Sequence, residues 1–145
     1  MLEYEKFRRR NEKIILIIAL LASSILAEFK GITPKELLSM QAKGIPVIDI
    51  RTKQEWKDRG IIKGAKLMTF FNERGEPLIA EFMFKLGSLV KSKDKPFIIY
   101  CAHANRSKTL GKWLSGTMGF KHVYELKGGI EYGWINKGKK VEKLH

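Results

Sequence analysis

Apolar positions recur along the chain in two rhythms, and together they predict alternating strands and helices. Thr33-Pro34-Lys35-Glu36 sets a hydroxyl at an N-cap, proline in the first turn and glutamate three positions after the cap. With Leu37, Leu38 and Met40 as its apolar face up to Gly44, this predicts a helix over 33–43. Ile45 to Ile50 is a short, nearly continuous apolar run rich in β-branched residues, the pattern of a strand buried on both faces. Thr52-Lys53-Gln54-Glu55 repeats the capping pattern and starts a short helix that ends near Gly60. Ile61 to Phe71 reads as a short strand with its approach loop, and Asn72 to Pro77 as turns. The spacing of Ile79, Phe82, Met83, Leu86 and Leu89 or Val90 predicts a helix over 78–90. Phe97-Ile98-Ile99-Tyr100 is a second buried strand. A helix over 107–118 then carries Leu110, Trp113, Leu114 and Thr117 on one face and stops at Gly119. Val123 to Leu126 is a third strand, and Gly128-Gly129 leads to a last short helix near Trp134. The fold class is therefore α/β, a mainly parallel sheet with helices on both faces, undivided by repeat or linker.

Ahead of this domain, residues 1–13 carry Lys6, Arg8, Arg9, Arg10 and Lys13 against Glu3, Glu5 and Glu12. An unbroken apolar-and-small run from Ile14 to Ala27 follows. A basic flank, a greasy segment and small residues before a polar restart fit a signal peptide over 1–27, cleaved after Ala27 with Ile25 at the −3 position. The run falls short of the roughly 20 residues of a stable span. An uncleaved signal anchor over the same residues and a buried first helix remain as rivals. The first two readings send residues 28–145 across the membrane, to the periplasm.

The 145 residues and their apolar content suit one ordinary domain, which excludes a fibre or a disordered tail. Lys and Arg number 28 against 15 Asp and Glu, a formal net charge of +13. The lysines are scattered apart from Lys137, Lys139, Lys140 and Lys143, and no aromatic-interleaved stripe accompanies them. A basic solvated surface is favoured over nucleic-acid binding, and contact with membrane is expected only through residues 14–27. The single cysteine, Cys101, excludes an intramolecular disulfide and cysteine-rich metal sites, leaving an inert buried thiol or a reactive one. Trp56, Trp113 and Trp134 read as packing, and His122 and His145 have no ligand spacing.

Cys101 is the first residue after the strand Phe97 to Tyr100, where open α/β sheets collect their ligands. The loop Cys101-Ala102-His103-Ala104-Asn105-Arg106 runs straight into a helix at Ser107. Such a loop aims backbone N–H groups and the helix dipole at one point, which stabilises a thiolate and cradles an anion. Arg106 can bind a substrate oxyanion or hold the loop by bonding its carbonyls. Asp49 and Arg51, at the end of another strand, read as supporting residues, Arg51 paired with Glu55 and Asp49 bonded to loop or helix-end amides.

Four ordered pieces carry a resemblance. These are Asp49-Ile50-Arg51 with Glu55-Trp56; Gly60-Ile61-Ile62-Lys63-Gly64-Ala65, similar to a family Gly-His-Ile-x-Gly-Ala; the loop Cys101 to Ser107; and Gly119-Phe120, Val123, Leu126-Lys127-Gly128-Gly129 and Trp134. From Ile32 to Ile135 the chain resembles the rhodanese-like single-domain sulfurtransferases. The resemblance implies a five-stranded parallel-type sheet and transfer of sulfane sulfur through a persulfide on Cys101, with no metal or other cofactor. It implies that the amides of Ala102, His103, Ala104, Asn105 and Arg106 hold the substrate sulfur, with Asp49, Arg51 and Ser107 in support. The partners implied are a small anionic donor, thiosulfate or polysulfide, and a cyanide or thiol acceptor; a homodimer is one admissible assembly. Ala102, His103 and Ala104 stand where the family's common loop has Arg, Ser and Gly, so a basic anchor for thiosulfate is missing. His103 either raises the thiolate fraction or has no role. A sulfur carrier without turnover is an alternative, and a cysteine-dependent phosphatase or arsenate reductase a more remote one, since only four residues separate Cys101 from Arg106. The transfer reading expects a thiol that is ionised and open to solvent.

Overall fold

The computed structural model describes the backbone of residues 1–23 and 27–145, and the side chains of residues 1–15 and 27–145. In chain order the elements are α1 (Leu2–Ser23), β1 (Glu28–Ile32), α2 (Pro34–Ala42), β2 (Val47–Asp49), α3 (Lys53–Arg59), β3 (Lys66–Leu67), α4 (Ile79–Leu89), β4 (Phe97–Tyr100), α5 (Asn105–Gly116), β5 (His122–Leu126) and α6 (Gly129–Gly133). A single turn of 3₁₀ helix follows at Ile135–Lys137. Both predicted capping boxes form. Thr33 and Glu36 close one on α2, and Thr52 and Glu55 close the other on α3, each satisfying orphan amides of a first turn.

The strands lie in the order β1-β5-β4-β2-β3, every neighbouring pair parallel. Three strands and a short fourth are predicted in place, and β1 is the addition. Its sequence Glu-Phe-Lys-Gly-Ile alternates charge with apolar residues and contains glycine, so it has no continuous apolar run to announce it. It becomes a strand because the edge of β5 supplies a parallel partner from Glu28↔His122 to Ile32↔Leu126.

Side-chain alternation divides the core between the two faces of the sheet. On one face Ile48, Ile50, Phe97, Ile99, Cys101 and Val123 pack with Phe82 and Leu86 of α4 and Leu110 and Leu114 of α5. On the other, Val47, Ile98, Tyr100 and Leu126 pack with Leu37 of α2 and Ile130 of α6. Cys101 continues the alternation of β4 by one residue, which places it on the α4/α5 face.

Side chains 1–15 of α1 are exposed apart from half-buried Asn11. Among the described residues no helix is long and apolar enough to cross a membrane. Ile25, and with it the −3 position of the expected cleavage point, lies outside the described residues.

Candidate active site

The loop after β4 is held from behind by the start of α6. The amide of Ile130 donates to Cys101 O at 2.9 Å, and that of Glu131 to Ala102 O at 3.0 Å. Only glycine fits at 129, where φ is +64° and a Cβ would run into the Ala102 carbonyl. The Gly128-Gly129 pair thus serves the loop by allowing this close approach. On the loop itself Ala104 takes the left-handed conformation, φ 68° and ψ 0°, directly before α5. It is the one non-glycine residue at positive φ among the described residues.

This backbone leaves five consecutive donors free. Among the described residues, none of the amides of Ala102, His103, Ala104, Asn105 and Arg106 has a protein acceptor. The sixth, Ser107 N–H, donates to Cys101 Sγ at 3.3 Å. A run of unpartnered amides that opens a twelve-residue helix presents positive potential to an electron-rich atom.

The thiol differs from expectation in one respect. Cys101 is 1% exposed and packs in the α4/α5 core, so it is not open to solvent. The cause is the alternation described above, which turns the side chain under α5, with Ala102 and Ala104 themselves 8% exposed. The S–H points to Ser107 Oγ at 3.5 Å, and Ser107 in turn donates to Glu125 Oε2 at 2.7 Å, with Ala104 O 3.2 Å away. Both Ser107 and Glu125 are buried. Burial pushes the Glu125 carboxyl up, opposed by the Ser107 hydroxyl and by Lys108 and Lys112.

Glu125 is the residue that the sequence reading missed. Val123 and Glu125 stand two apart on a strand and so share a face. A carboxylate at an inward position of an apolar strand was the available signal.

The supporting residues are rearranged relative to the sequence reading. Among the described residues Arg106 bonds no loop carbonyl. Its Nη1 and Nη2 donate to Glu55 Oε2 and Oε1 at 2.8 and 2.6 Å, a bidentate pair that ties α5 to α3. Glu55 is therefore unavailable to Arg51. Arg51 instead forks onto Asp49, Nε to Oδ1 at 3.0 Å and Nη2 to Oδ2 at 2.7 Å, both side chains fully buried. Arg51 Nη2 also donates to Gly60 O at 2.7 Å, which fixes the end of α3. Asp49 accepts from the Arg51 amide at 3.1 Å, not from loop or helix-end amides. By alternation Asp49 stands with Val47 on the face of Tyr100, opposite the face that carries Cys101. The Asp49–Arg51 pair is thus a buttress under β2 and α3.

His103 is exposed and its ring lies 4.8 Å from that of Tyr132, so it faces α6 and not the thiol. Asn105, also exposed, begins α5 and accepts from Thr109 Oγ1 at 3.2 Å. Asn105 and Arg106 line a groove of about 780 Å³ between the start of α3, the turn around Asn72 and the start of α5.

Comparison with known proteins decides the family. Residues 33–137 match the rhodanese-like domain. The chain belongs to the rhodanese-like family. Among curated relatives, the thiosulfate sulfurtransferase GlpE of Pseudomonas entomophila is 33% identical over 106 residues, covering 73% of this chain and 85% of that protein. The GlpE protein of Ectopseudomonas mendocina is 31% identical over the same shares. Among solved structures, a rhodanese-related protein from Thermoplasma volcanium superimposes with a TM-score of 0.58 at 27% identity, covering 78% of this chain and 97% of that one. A thiosulfate sulfurtransferase from Pseudomonas aeruginosa shares the fold at a TM-score of 0.63 and 18% identity, covering 86% of this chain and 21% of that one.

Proposed function

We propose that this rhodanese-like protein is a sulfurtransferase that moves sulfane sulfur through a persulfide on Cys101. The observation that carries the reading is the run of five unpartnered amides directly after Cys101. Cys101 Sγ attacks the outer sulfur of a donor, the bond between that sulfur and the rest of the donor breaks, and the remainder leaves with the electron pair. The outer sulfur of the persulfide then rests against the amides of residues 102–106, which stabilise its negative charge without a metal. An acceptor nucleophile such as cyanide or a thiol takes that sulfur and returns the Cys101 thiolate. Because Cys101 is 1% exposed, the loop moves aside for each attack. Thiosulfate or polysulfide serves as donor. The pairing of Arg106 with Glu55 and the absence of a basic residue at Ala102 favour the less charged of such donors.

The test is to incubate the purified protein with thiosulfate or polysulfide plus cyanide and follow thiocyanate. Turnover that disappears in Cys101→Ser, with a mass gain of one sulfur on the intact protein, supports the reading. Stoichiometric persulfide without turnover makes the protein a sulfur carrier, a second reading favoured by the buried thiol. Phosphate release from an aryl phosphate would refute both.

The domain is further proposed to be exported, with residues 1–27 as its leader or anchor. Strand β1 begins at Glu28, so cleavage after Ala27 would leave the sheet whole. Cell fractionation with intact-mass measurement tests this, and a full-length protein in the cytoplasm refutes it.

A further inference from the structure

The S–H of Cys101 has no route to bulk solvent in this conformation, since the side chain is 1% exposed. Sulfur must nevertheless lose its proton to attack. His103, the nearest histidine in sequence, is turned toward Tyr132. What does touch the thiol is a directed chain of hydrogen bonds into the protein. Cys101 Sγ donates to Ser107 Oγ at 3.5 Å, and Ser107 Oγ donates to Glu125 Oε2 at 2.7 Å. The second link has the ordinary length of a hydroxyl donating to a carboxyl oxygen. Glu125 is 5% exposed, and its only side-chain partner among the described residues is Ser107. A buried carboxylate with a single hydroxyl partner is costly in its charged form, so taking up a proton relieves it.

We propose that Glu125 is a positioning residue that accepts the Cys101 proton through the Ser107 hydroxyl as the sulfur attacks. The inference rests on the sulfur-transfer reading above and adds to it the fate of the proton. The S–H bond breaks as Ser107 Oγ takes the proton, the former Ser107 hydroxyl proton passes to Oε2, and the carboxylate becomes a carboxylic acid. The electron pair left on Sγ forms the bond to the donor sulfur. When the acceptor removes the sulfane sulfur, Cys101 leaves as thiolate and the proton returns along the same chain. The Cys101–Glu125 pair thus carries one negative charge throughout, never two. The Ser107 amide, 3.3 Å from Sγ, steadies that charge when it sits on sulfur.

The charged groups facing Glu125 are Lys108 and Lys112 of α5. Its register partners on the flanking strands, Ile99 of β4 and Gly31 of β1, are uncharged. Glu125 must be ionised to accept, and its burial outweighs Ser107 and the two lysines. The reaction of Cys101 therefore rises with pH along a limb that lies above the ordinary carboxylate range.

The test follows the lone thiol by stopped flow with 4,4′-dithiodipyridine across the acid and neutral range, for wild type, Glu125→Gln, Glu125→Asp and Ser107→Ala, each checked for folding by circular dichroism. Glu125→Gln and Ser107→Ala are expected to lose the limb and to react about 100-fold more slowly at neutral pH, the usual worth of a positioned proton acceptor. Glu125→Asp is expected to recover a limb at reduced rate. An unchanged limb in Glu125→Gln overturns the proposal, as does a faster reaction, which removal of a bystander negative charge would produce. If Glu125→Gln does not fold, Ser107→Ala and Glu125→Asp carry the same comparison. The reagent needs no sulfane sulfur. A Glu125-dependent limb without thiocyanate turnover therefore refutes the transfer reading alone, and turnover with a Glu125-independent limb refutes this inference alone.

Discussion

Glu55 joins two elements with one carboxylate, and neutralising it separates charge from shape. It closes the capping box of α3 by accepting from the Thr52 amide at 3.0 Å and hydroxyl at 3.1 Å. It also takes both prongs of Arg106. Burial pushes its carboxyl up, but Arg106 and Thr52 outweigh burial and hold it at about 2, against an ordinary 4.5. At neutral pH that difference sets a ceiling of about 3 kcal/mol of stability. The two side chains are 29% and 30% exposed. Solvent screening therefore leaves about 1–2 kcal/mol. A carboxyl held low in the folded state stabilises above its unfolded value, so the contribution is full above pH 4.5 and is lost as pH falls toward 2. Glu55→Gln keeps the length and the capping geometry and removes the charge. Urea unfolding followed by circular dichroism should show it about 1–2 kcal/mol less stable than wild type at neutral pH, with the gap closing at pH near 2. A gap of the same size at both ends of that range, or one under about 0.3 kcal/mol at neutral pH, would refute the assignment of charge pairing to this side chain.

Three further substitutions probe the frame around the loop. Gly111 of α5 lies against Phe29 of β1, and a Cβ there would overlap the ring; Gly111→Ala should cost about 1–3 kcal/mol in thermal unfolding, with Phe29→Leu restoring part of it. Ala104 sits at φ 68°, where a Cβ is unfavourable; Ala104→Gly should stabilise by about 0.5–1 kcal/mol, read from the urea midpoint. Asp49→Asn leaves the fully buried Arg51 without its counter-charge; a loss of about 3–5 kcal/mol is expected in the same assay, and a near-neutral result would show that Arg51 is not held by this pair.

What was legible in the sequence follows from how local the cause is. Both capping boxes, the apolar runs of β2 and β4 and the helical faces of α4 and α5 depend on near neighbours, and they form where the pattern puts them, except that α5 starts at Asn105, two residues before the expected Ser107, and ends at Gly116. The site was legible as a location for a similar reason, since Cys101 follows a buried strand and precedes a helix. The partners of its side chains were not. Arg51 chooses between Asp49 and Glu55, and Glu55 between Arg51 and Arg106, only once α3 and α5 are packed, because Glu55 and Arg106 are 51 positions apart in the chain. The burial of Cys101 was readable from the period of β4, had the alternation been carried one residue past Tyr100. Strand β1 was hidden because its stability comes from the β5 edge, not from its own composition.

The pattern of ion pairs around the loop bears on what the site can attract. Arg106 is committed to Glu55, Arg51 to Asp49, and Arg59 to Glu131 through bonds of 2.7 and 2.6 Å. Glu131 is the residue whose amide holds Ala102 O, so the last of these pairs braces the loop from outside. These three guanidinium groups are thus committed to scaffold, and the positive potential at the loop comes from its amides, the α5 dipole and the α5 lysines Lys108 and Lys112. Such dipoles act within a few ångströms, whereas a free guanidinium steers ions over about a Debye length of 8–10 Å. On the proposed transfer reading, persulfide formation on Cys101 should accordingly depend less on ionic strength than in a variant that frees Arg106, such as Glu55→Gln. A single-turnover rate with thiosulfate that falls equally with salt in both proteins would show that distant lysines, not the loop, govern capture of the donor.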